Sequence, residues 1–246
     1  MLTFGPWDLV LLVAVTAQAT ILAYVHHPKW KAFVWTLPVP FTLASMAVGR
    51  PIDATNVMAI NALLVFTHGV RLLYNRFPRA IVPIIVMCAA AYCTIGWGLA
   101  KLLPASDSAF WLASAGTFAF GLALYLLTPH RVEPGHRSPL PVWIKAPLIA
   151  LVILTLVAIK GFLLGFMTFF PMVGVVAAYE ARKSLWTISR QAPVVMLTTV
   201  PLMAACRLTQ DKIGLAGGLV VGWVVFGLFL APLTKRMWAE WAEVEG

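Results

Sequence analysis

Apolar runs fill most of this chain and are separated by short segments that carry charge, proline or glycine. A helix that crosses the hydrocarbon core of a bilayer needs about 20 apolar residues. The runs therefore predict an all-α, polytopic membrane helix bundle of about nine transmembrane helices, at residues 8–25, 32–48, 54–72, 80–100, 109–128, 142–159, 162–179, 190–206 and 213–233. The turn at Lys160-Gly161 is the least distinct, and without it the count is eight.

Composition agrees with a membrane location. Of the 246 residues, 61% are hydrophobic and only 11% are charged, whereas soluble domains are about a quarter charged. The first basic residue is Lys29, so the first run lacks the basic segment that precedes the apolar part of a signal peptide. We therefore expect that run to remain as a span.

The basic residues predict the orientation. With the N-terminus outside, the inside segments hold thirteen Lys and Arg and the outside segments hold five. Cytoplasmic loops of membrane proteins are enriched in these residues. The bias favours nine spans with the N-terminus outside and the C-terminus in the cytoplasm. We expect the membrane to be a bacterial inner (plasma) membrane. It also explains the net charge of +9 without a nucleic-acid partner.

Two proline-containing spans share a pattern that predicts an internal repeat. Leu37 to Asp53 reads LPVPFTLASMAVGRPID, and Phe170 to Ser184 reads FPMVGVVAAYEARKS. Each begins at proline, continues with small residues and ends in a charged turn. If spans 1–4 correspond to spans 6–9, the offset is five spans, and the halves have opposite orientation, as in many secondary transporters. The alternative is a chance likeness between two proline-containing spans.

The repeat divides the chain into three parts. Residues 1–105 form the first four-helix repeat, 106–140 a connecting helix with a cytoplasmic loop, and 141–246 the second four-helix repeat with an interfacial C-terminal tail. The Phe170 to Ser184 pattern resembles part of the GlpM-like small four-span inner-membrane proteins. That resemblance implies a four-span unit in each half and no particular substrate. The first half departs from it, with Gly49-Arg50-Pro51 in place of the Tyr-Glu-x-Arg run.

The charged turns that end the two proline-containing spans are candidate gates. In the first, Asp53 either caps the next helix or pairs with Arg50 at an outer mouth that attracts anions. In the second, Glu180 and Arg182 either belong to a solvated loop or guard the inner mouth. At a membrane edge water screens each pair, so each should contribute only about 0–1 kcal/mol to stability.

Polar residues and prolines inside the spans are further candidates. Asn61, His68 and Arg71 share one face of the third span, which faces a cavity or another helix. Intramembrane prolines mark either a binding site or a simple kink. The predicted substrate-binding or gating residues are Pro40, Thr42, Ser45, Arg50, Asp53, Asn61, His68, Pro171, Glu180 and Arg182.

These features favour a small secondary transporter or lipid flippase that works by alternating access. Every acidic residue falls at a span end or in a loop, which favours an anionic or zwitterionic substrate over a cation. We expect no cofactor, no metal and no catalytic residue, since the chain lacks HExxH, phosphate-loop and GxSxG motifs. The alternatives are a membrane-embedded enzyme and a non-catalytic accessory subunit. Expected partners are the bilayer, a small-molecule or lipid substrate and, in one arrangement, a second copy in a homodimer.

Overall fold

The computed structural model of the chain describes residues 5–136, 138–139, 141–158 and 164–245. These residues form helices and connecting segments, with no strand among them, which confirms the predicted all-α class. The helices are α1 Pro6–Tyr24, α2 Pro28–Thr36, α3 Val39–Val48, α4 Ala54–Arg76, α5 Ile81–Leu102, α6 Asp107–Leu127, α7 Val142–Ala158, a 3-10 helix Leu164–Phe169, α8 Met172–Glu180 and α9 Leu185–Glu245.

Several helices have the length and apolar character of membrane spans. Six in the described part of the chain are long and apolar enough: Pro6–Tyr24, Pro28–Val48, Ala54–Arg76, Ile81–Leu102, Asp107–Leu127 and Leu185–Glu240. Val142–Thr155 and Gly165–Glu180 are apolar but shorter. The count of nine spans stays a prediction, and the turn expected at Lys160-Gly161 lies outside the described residues.

The long helix α9 is interrupted at Gly214, where φ is 74°. Only glycine adopts this region without a steric cost, which is why the helix breaks here. The two parts of α9 then pack antiparallel. A Cβ on Gly218 would lie 3.1 Å from the Cys206 carbonyl oxygen, and one on Gly222 would lie 2.9 Å from that of Leu202. The small residues after Gly214 therefore allow the close approach expected of packed membrane helices.

The other helices pack around α4 and α1. Helix α4 contacts α5, α6, α9 and the 3-10 helix, while α1 contacts α3, α7 and α8. The chain segment from Trp238 continues α9 to Glu245. Its Trp238 ring packs on that of Trp30, with centroids 4.7 Å apart, and this contact holds the end of α9 against α2.

Candidate functional site

Two helical segments are broken near their centres by proline. The first broken segment is Pro28–Val48, in which α2 ends at Thr36 and α3 begins at Val39 after Leu37-Pro38. The second broken segment is Leu164–Glu180, in which the 3-10 helix ends at Phe169 and α8 begins at Met172 after Phe170-Pro171. Proline has no amide hydrogen and clashes with the preceding turn, so both breaks follow from the sequence.

The two broken segments run in opposite directions. Near the start of the first, the Lys31 Nζ atom donates to the Glu180 carbonyl oxygen at the end of the second, 2.8 Å away. We call this end of the bundle the basic end. At the opposite end, Thr168 near the start of the second segment accepts a hydrogen bond from Asn56 Nδ2 (3.1 Å), on the helix that follows the first segment. The breaks consequently meet in the interior.

A crevice of about 50 Å³ lies where the breaks meet, and we call it the central crevice. Both broken segments line it, together with residues of α4 and α9. The lining residues are Trp35, Thr36, Leu37, Pro38, Pro40, Phe41, Leu63, Thr168, Phe169, Phe170, Pro171, Val173, Gly174, Val195 and Thr199. The structure therefore places the predicted Pro40 and Pro171 together at one site.

Several helix ends meet at the central crevice. Helices α3 and α8 both begin beside it, and the first amides of a helix have no acceptor within that helix. The carbonyl oxygens at the end of α2 are neutralised instead, because Gln18 Nε2 donates to those of Val34 (2.8 Å) and Leu37 (3.2 Å). Two helix N-termini thus lie at the crevice, together with the carbonyl end of the 3-10 helix, while the carbonyl end of α2 has a partner.

One buried hydroxyl of the crevice has no hydrogen-bond partner. Thr199 is 0% exposed, and its Oγ1 atom is without a partner among the described residues. The preceding residue, Thr198, is equally buried, but its hydroxyl donates to the Val194 carbonyl oxygen at 2.7 Å. A buried polar atom that lacks a partner is costly, so the Thr199 hydroxyl is suited to a bound group.

A second space, of about 210 Å³, lies toward the end opposite the basic end, and we call it the polar cavity. Its lining includes Ser45, Arg50, Asp53, Asn56 and Thr168. Since Thr168 also lines the central crevice, the two spaces adjoin. The predicted residues Ser45, Arg50 and Asp53 are therefore brought together.

Within the polar cavity Asp53 caps α4. Its Oδ1 atom accepts from the Thr55 amide (2.8 Å) and the Thr55 hydroxyl (2.5 Å), while Asn56 Oδ1 accepts from the Asp53 amide (2.8 Å). This confirms the capping interpretation. The ion pairs of the described residues do not include one between Arg50 and Asp53, so the predicted pairing is wrong for this structure.

The basic end is closed by a buried ionic cluster of Lys31, Ser138, Lys145 and Glu180. Glu180 is 2% exposed, and its carboxylate contacts Lys145 Nζ at 3.0 Å. The same carboxylate accepts from the Ser138 amide (3.1 Å) and hydroxyl (2.8 Å). Lys31 also donates to the carbonyl oxygen of His136 in the long loop. The cluster thus joins α2, the loop, α7 and α8.

This cluster corrects two expectations for Glu180. It is not in a solvated loop, because the cluster surrounds it. Its partner is Lys145 rather than Arg182, whose Nη1 atom donates to the Tyr179 carbonyl oxygen at 3.0 Å. The sequence interpretation missed Lys31 and Lys145 because each adjoins a predicted loop, where a charged residue is ordinarily solvated.

The remaining predicted residues lie away from the central crevice. Asn61 Nδ2 donates to Thr117 Oγ1 on α6 at 2.7 Å, which is the interhelical alternative. The His68 ring nitrogen Nδ1 lies 3.2 Å from the Leu64 carbonyl oxygen one turn earlier. Thr42 Oγ1 accepts from the Trp223 indole at 2.9 Å. The Asn61 and Thr42 contacts connect helices, the His68 contact lies within α4, and the three residues do not form a shared site.

Near the start of α9, a tryptophan at the basic end contacts two arginines. The Trp186 ring lies close to two guanidinium groups, 4.4 Å from that of Arg71 and 3.9 Å from that of Arg131. The Glu133 carboxylate accepts from the amides of Trp186 (3.1 Å) and Thr187 (2.6 Å), which caps the start of α9. Arg71 therefore stacks on an aromatic ring instead of lining a cavity.

No family model matches the chain, and neither the curated proteins nor the solved structures contain a match to it.

Proposed function

We propose that this protein is a small secondary transporter or lipid flippase that works by alternating access on an anionic or zwitterionic substrate. The observation that carries the proposal is the meeting of two antiparallel broken helices at one interior crevice. In many transporters, binding sites lie at such breaks, where the ends of half-helices face the substrate.

The inverted repeat is part of the proposal, with nine spans. It is supported by two hydrogen bonds that cross between the halves. Gln191, on the helix after the second broken segment, donates to Thr36 of the first at 2.6 Å. Asn56, on the helix after the first broken segment, donates to Thr168 of the second at 3.1 Å. Halves related by an inversion would exchange such contacts in this reciprocal way.

The unequal ends of the pathway favour alternating access. The polar cavity of about 210 Å³ adjoins the central crevice on one side. On the basic end, the ionic cluster is buried, with the Lys145 and Glu180 side chains only 6% and 3% exposed. We assign this conformation as open away from the basic end. By the positive-inside rule that open side is the outside of a bacterial inner membrane.

Thiol accessibility at the central crevice tests this proposal. Thr199→Cys would be made in a background that lacks Cys88, Cys93 and Cys206, and a membrane-impermeant thiol reagent would be added from each side of oriented membranes. If the protein works by alternating access, the cysteine at position 199 should be labelled from both sides.

Thr198→Cys is the matched control, because the neighbouring threonine is just as buried but does not line the central crevice. It should stay unlabelled. Labelling of Thr199→Cys from one side only would leave a dead-end binding site and refute transport. Absence of labelling from either side would favour an accessory subunit whose helices only bind a partner.

A further inference from the structure

An apolar groove of about 630 Å³ runs along the surface between α5 and α7, with α8 as its floor. Val82 and Val86 form one wall, Leu148 and Val152 the other, and Val175 lies on the floor. The first three are more than half exposed. The volume lies in the range of small-molecule sites, about 300–1,000 Å³. This lipid groove, as we call it, is open to the membrane side of the bundle.

The lipid groove is about as long as one leaflet of hydrocarbon is thick. Its lining on α7 extends from Lys145 to Thr155, which is about 15 Å at the helical rise per residue. The hydrocarbon core is about 30 Å thick, so the groove matches half of it. It begins at the basic end, where Lys145, Tyr179 and Glu180 line it, and only Thr155 is polar farther along. An elongated apolar molecule with one polar end fits this arrangement.

The polar end of the groove carries excess positive charge. The buried ionic cluster holds two lysines and one carboxylate, and both Lys145 and Glu180 also line the groove. Burial, and next the positive charge of Arg182, lowers the pKa of His136 in the adjoining loop. The surroundings of the groove's polar end therefore favour an anion.

We propose that the lipid groove holds one acyl chain of an anionic phospholipid from the leaflet at the basic end, with the phosphate at the polar end of the groove. This assignment deepens the proposed function, on which it rests, by naming the substrate class as phospholipid. The floor of the groove is α8, the second half of a broken segment, so a lipid there contacts an element that alternating access would move. A soluble anion would have no need of the apolar walls.

Photo-crosslinking in vesicles tests the assignment. The full-length protein would be reconstituted in phosphatidylcholine with a small fraction of phosphatidylglycerol that carries a diazirine midway along one acyl chain. Mass spectrometry would locate the adducts. We expect adducts on the groove walls to exceed those on exposed positions of α6, such as Leu112 and Leu126, by about tenfold, the ratio given by 1.4 kcal/mol. An equal distribution over both surfaces would mean ordinary bilayer contact and would overturn the proposal.

A bulky substitution provides the control. Val152→Trp fills the lipid groove and should lower its adducts about tenfold, whereas Leu126→Trp, on the exposed face of α6, should leave them unchanged. Equal loss in both variants, or in neither, would contradict a specific site. A phosphatidylcholine probe with the same chain should label the groove less, and equal labelling would overturn the anionic headgroup. A partner helix in the groove would appear instead as a protein–protein crosslink and would also overturn the proposal.

These results are separable from those on transport. Groove labelling combined with one-sided accessibility of Thr199→Cys would leave a lipid site on a protein that does not transport. Two-sided accessibility combined with uniform labelling would support a transporter of a soluble anion.

Discussion

The buried ionic cluster at the basic end gives the sharpest prediction, through Glu180→Gln. The substitution keeps the shape of the side chain and an acceptor for Ser138, but it removes the charge that faces Lys145 at 3.0 Å. Two buried lysines then have no carboxylate. Breaking a buried ion pair by removing one partner costs about 3–5 kcal/mol. The sequence-based expectation of about 0–1 kcal/mol applies to exposed ion pairs. Because Glu180 is buried, we expect the larger cost.

Loss of this ion pair should change the balance between conformations as well as lower Tm. If the cluster forms only when the basic end is closed, a loss of about 3 kcal/mol changes the ratio of closed to open states by more than a hundredfold, since each 1.4 kcal/mol is a factor of ten. Labelling of a cysteine at Thr36, on the basic side of the first break, should increase. Labelling at Ser45, which lines the polar cavity, should decrease.

Glu240→Gln is the matched control, because this carboxylate also forms an ion pair, with Arg190, but is 32% exposed. Its cost should be smaller than that of Glu180→Gln, because water reaches the Glu240 carboxylate. A Glu180→Gln variant with an unchanged Tm would refute the energetic reasoning. A large fall in Tm with unchanged labelling at both reporters would mean that the cluster is a fixed part of the fold and does not close a pathway.

Three other substitutions test the site and its packing. Asp53→Ala should lower the free energy of unfolding by about 0.5–2 kcal/mol through loss of the helix cap, while Asp53→Asn should largely retain it; thermal melting in detergent distinguishes them. Thr199→Val removes, at nearly constant volume, a buried hydroxyl that has no partner among the described residues, so Tm should hold or rise; a fall in Tm would contradict the assignment. Gly165→Ala should cost about 1–3 kcal/mol, because its Cβ would lie 1.9 Å from a threonine hydroxyl on α4. Gly98→Ala, with nothing within 4 Å, should be neutral or stabilising.

Local chemistry explains what the sequence predicted well. Pro38 and Pro171 break their helices because proline cannot donate an amide hydrogen, wherever the segment packs. Asp53 caps α4 because its partners, Thr55 and Asn56, are within three residues. These features depend on residues that are close together in the chain, so they can be predicted from a single sequence.

Contacts between distant segments explain what the sequence did not show. The acceptors of Lys31 lie 105 and 149 residues further along the chain. Nothing in the local pattern distinguishes such a lysine from one in a solvated loop. Asn61 shows the same limit. Helical spacing predicts that it shares a face with His68, but it does not predict that α6 packs against Asn61.

The acceptors of Lys31 also bear on how the protein is made. The Glu180 carbonyl oxygen that accepts its hydrogen bond lies 149 residues downstream. At about 5–20 residues per second, a ribosome needs about 7–30 s to reach it. During that interval the short helix α2 holds an ammonium group without its final acceptors, which is unfavourable within hydrocarbon. We therefore expect α2 to rest at the membrane surface in the nascent chain and to enter the bundle only after α8 has been synthesised. Truncation before Glu180 should leave Lys31 accessible to an impermeant amine reagent.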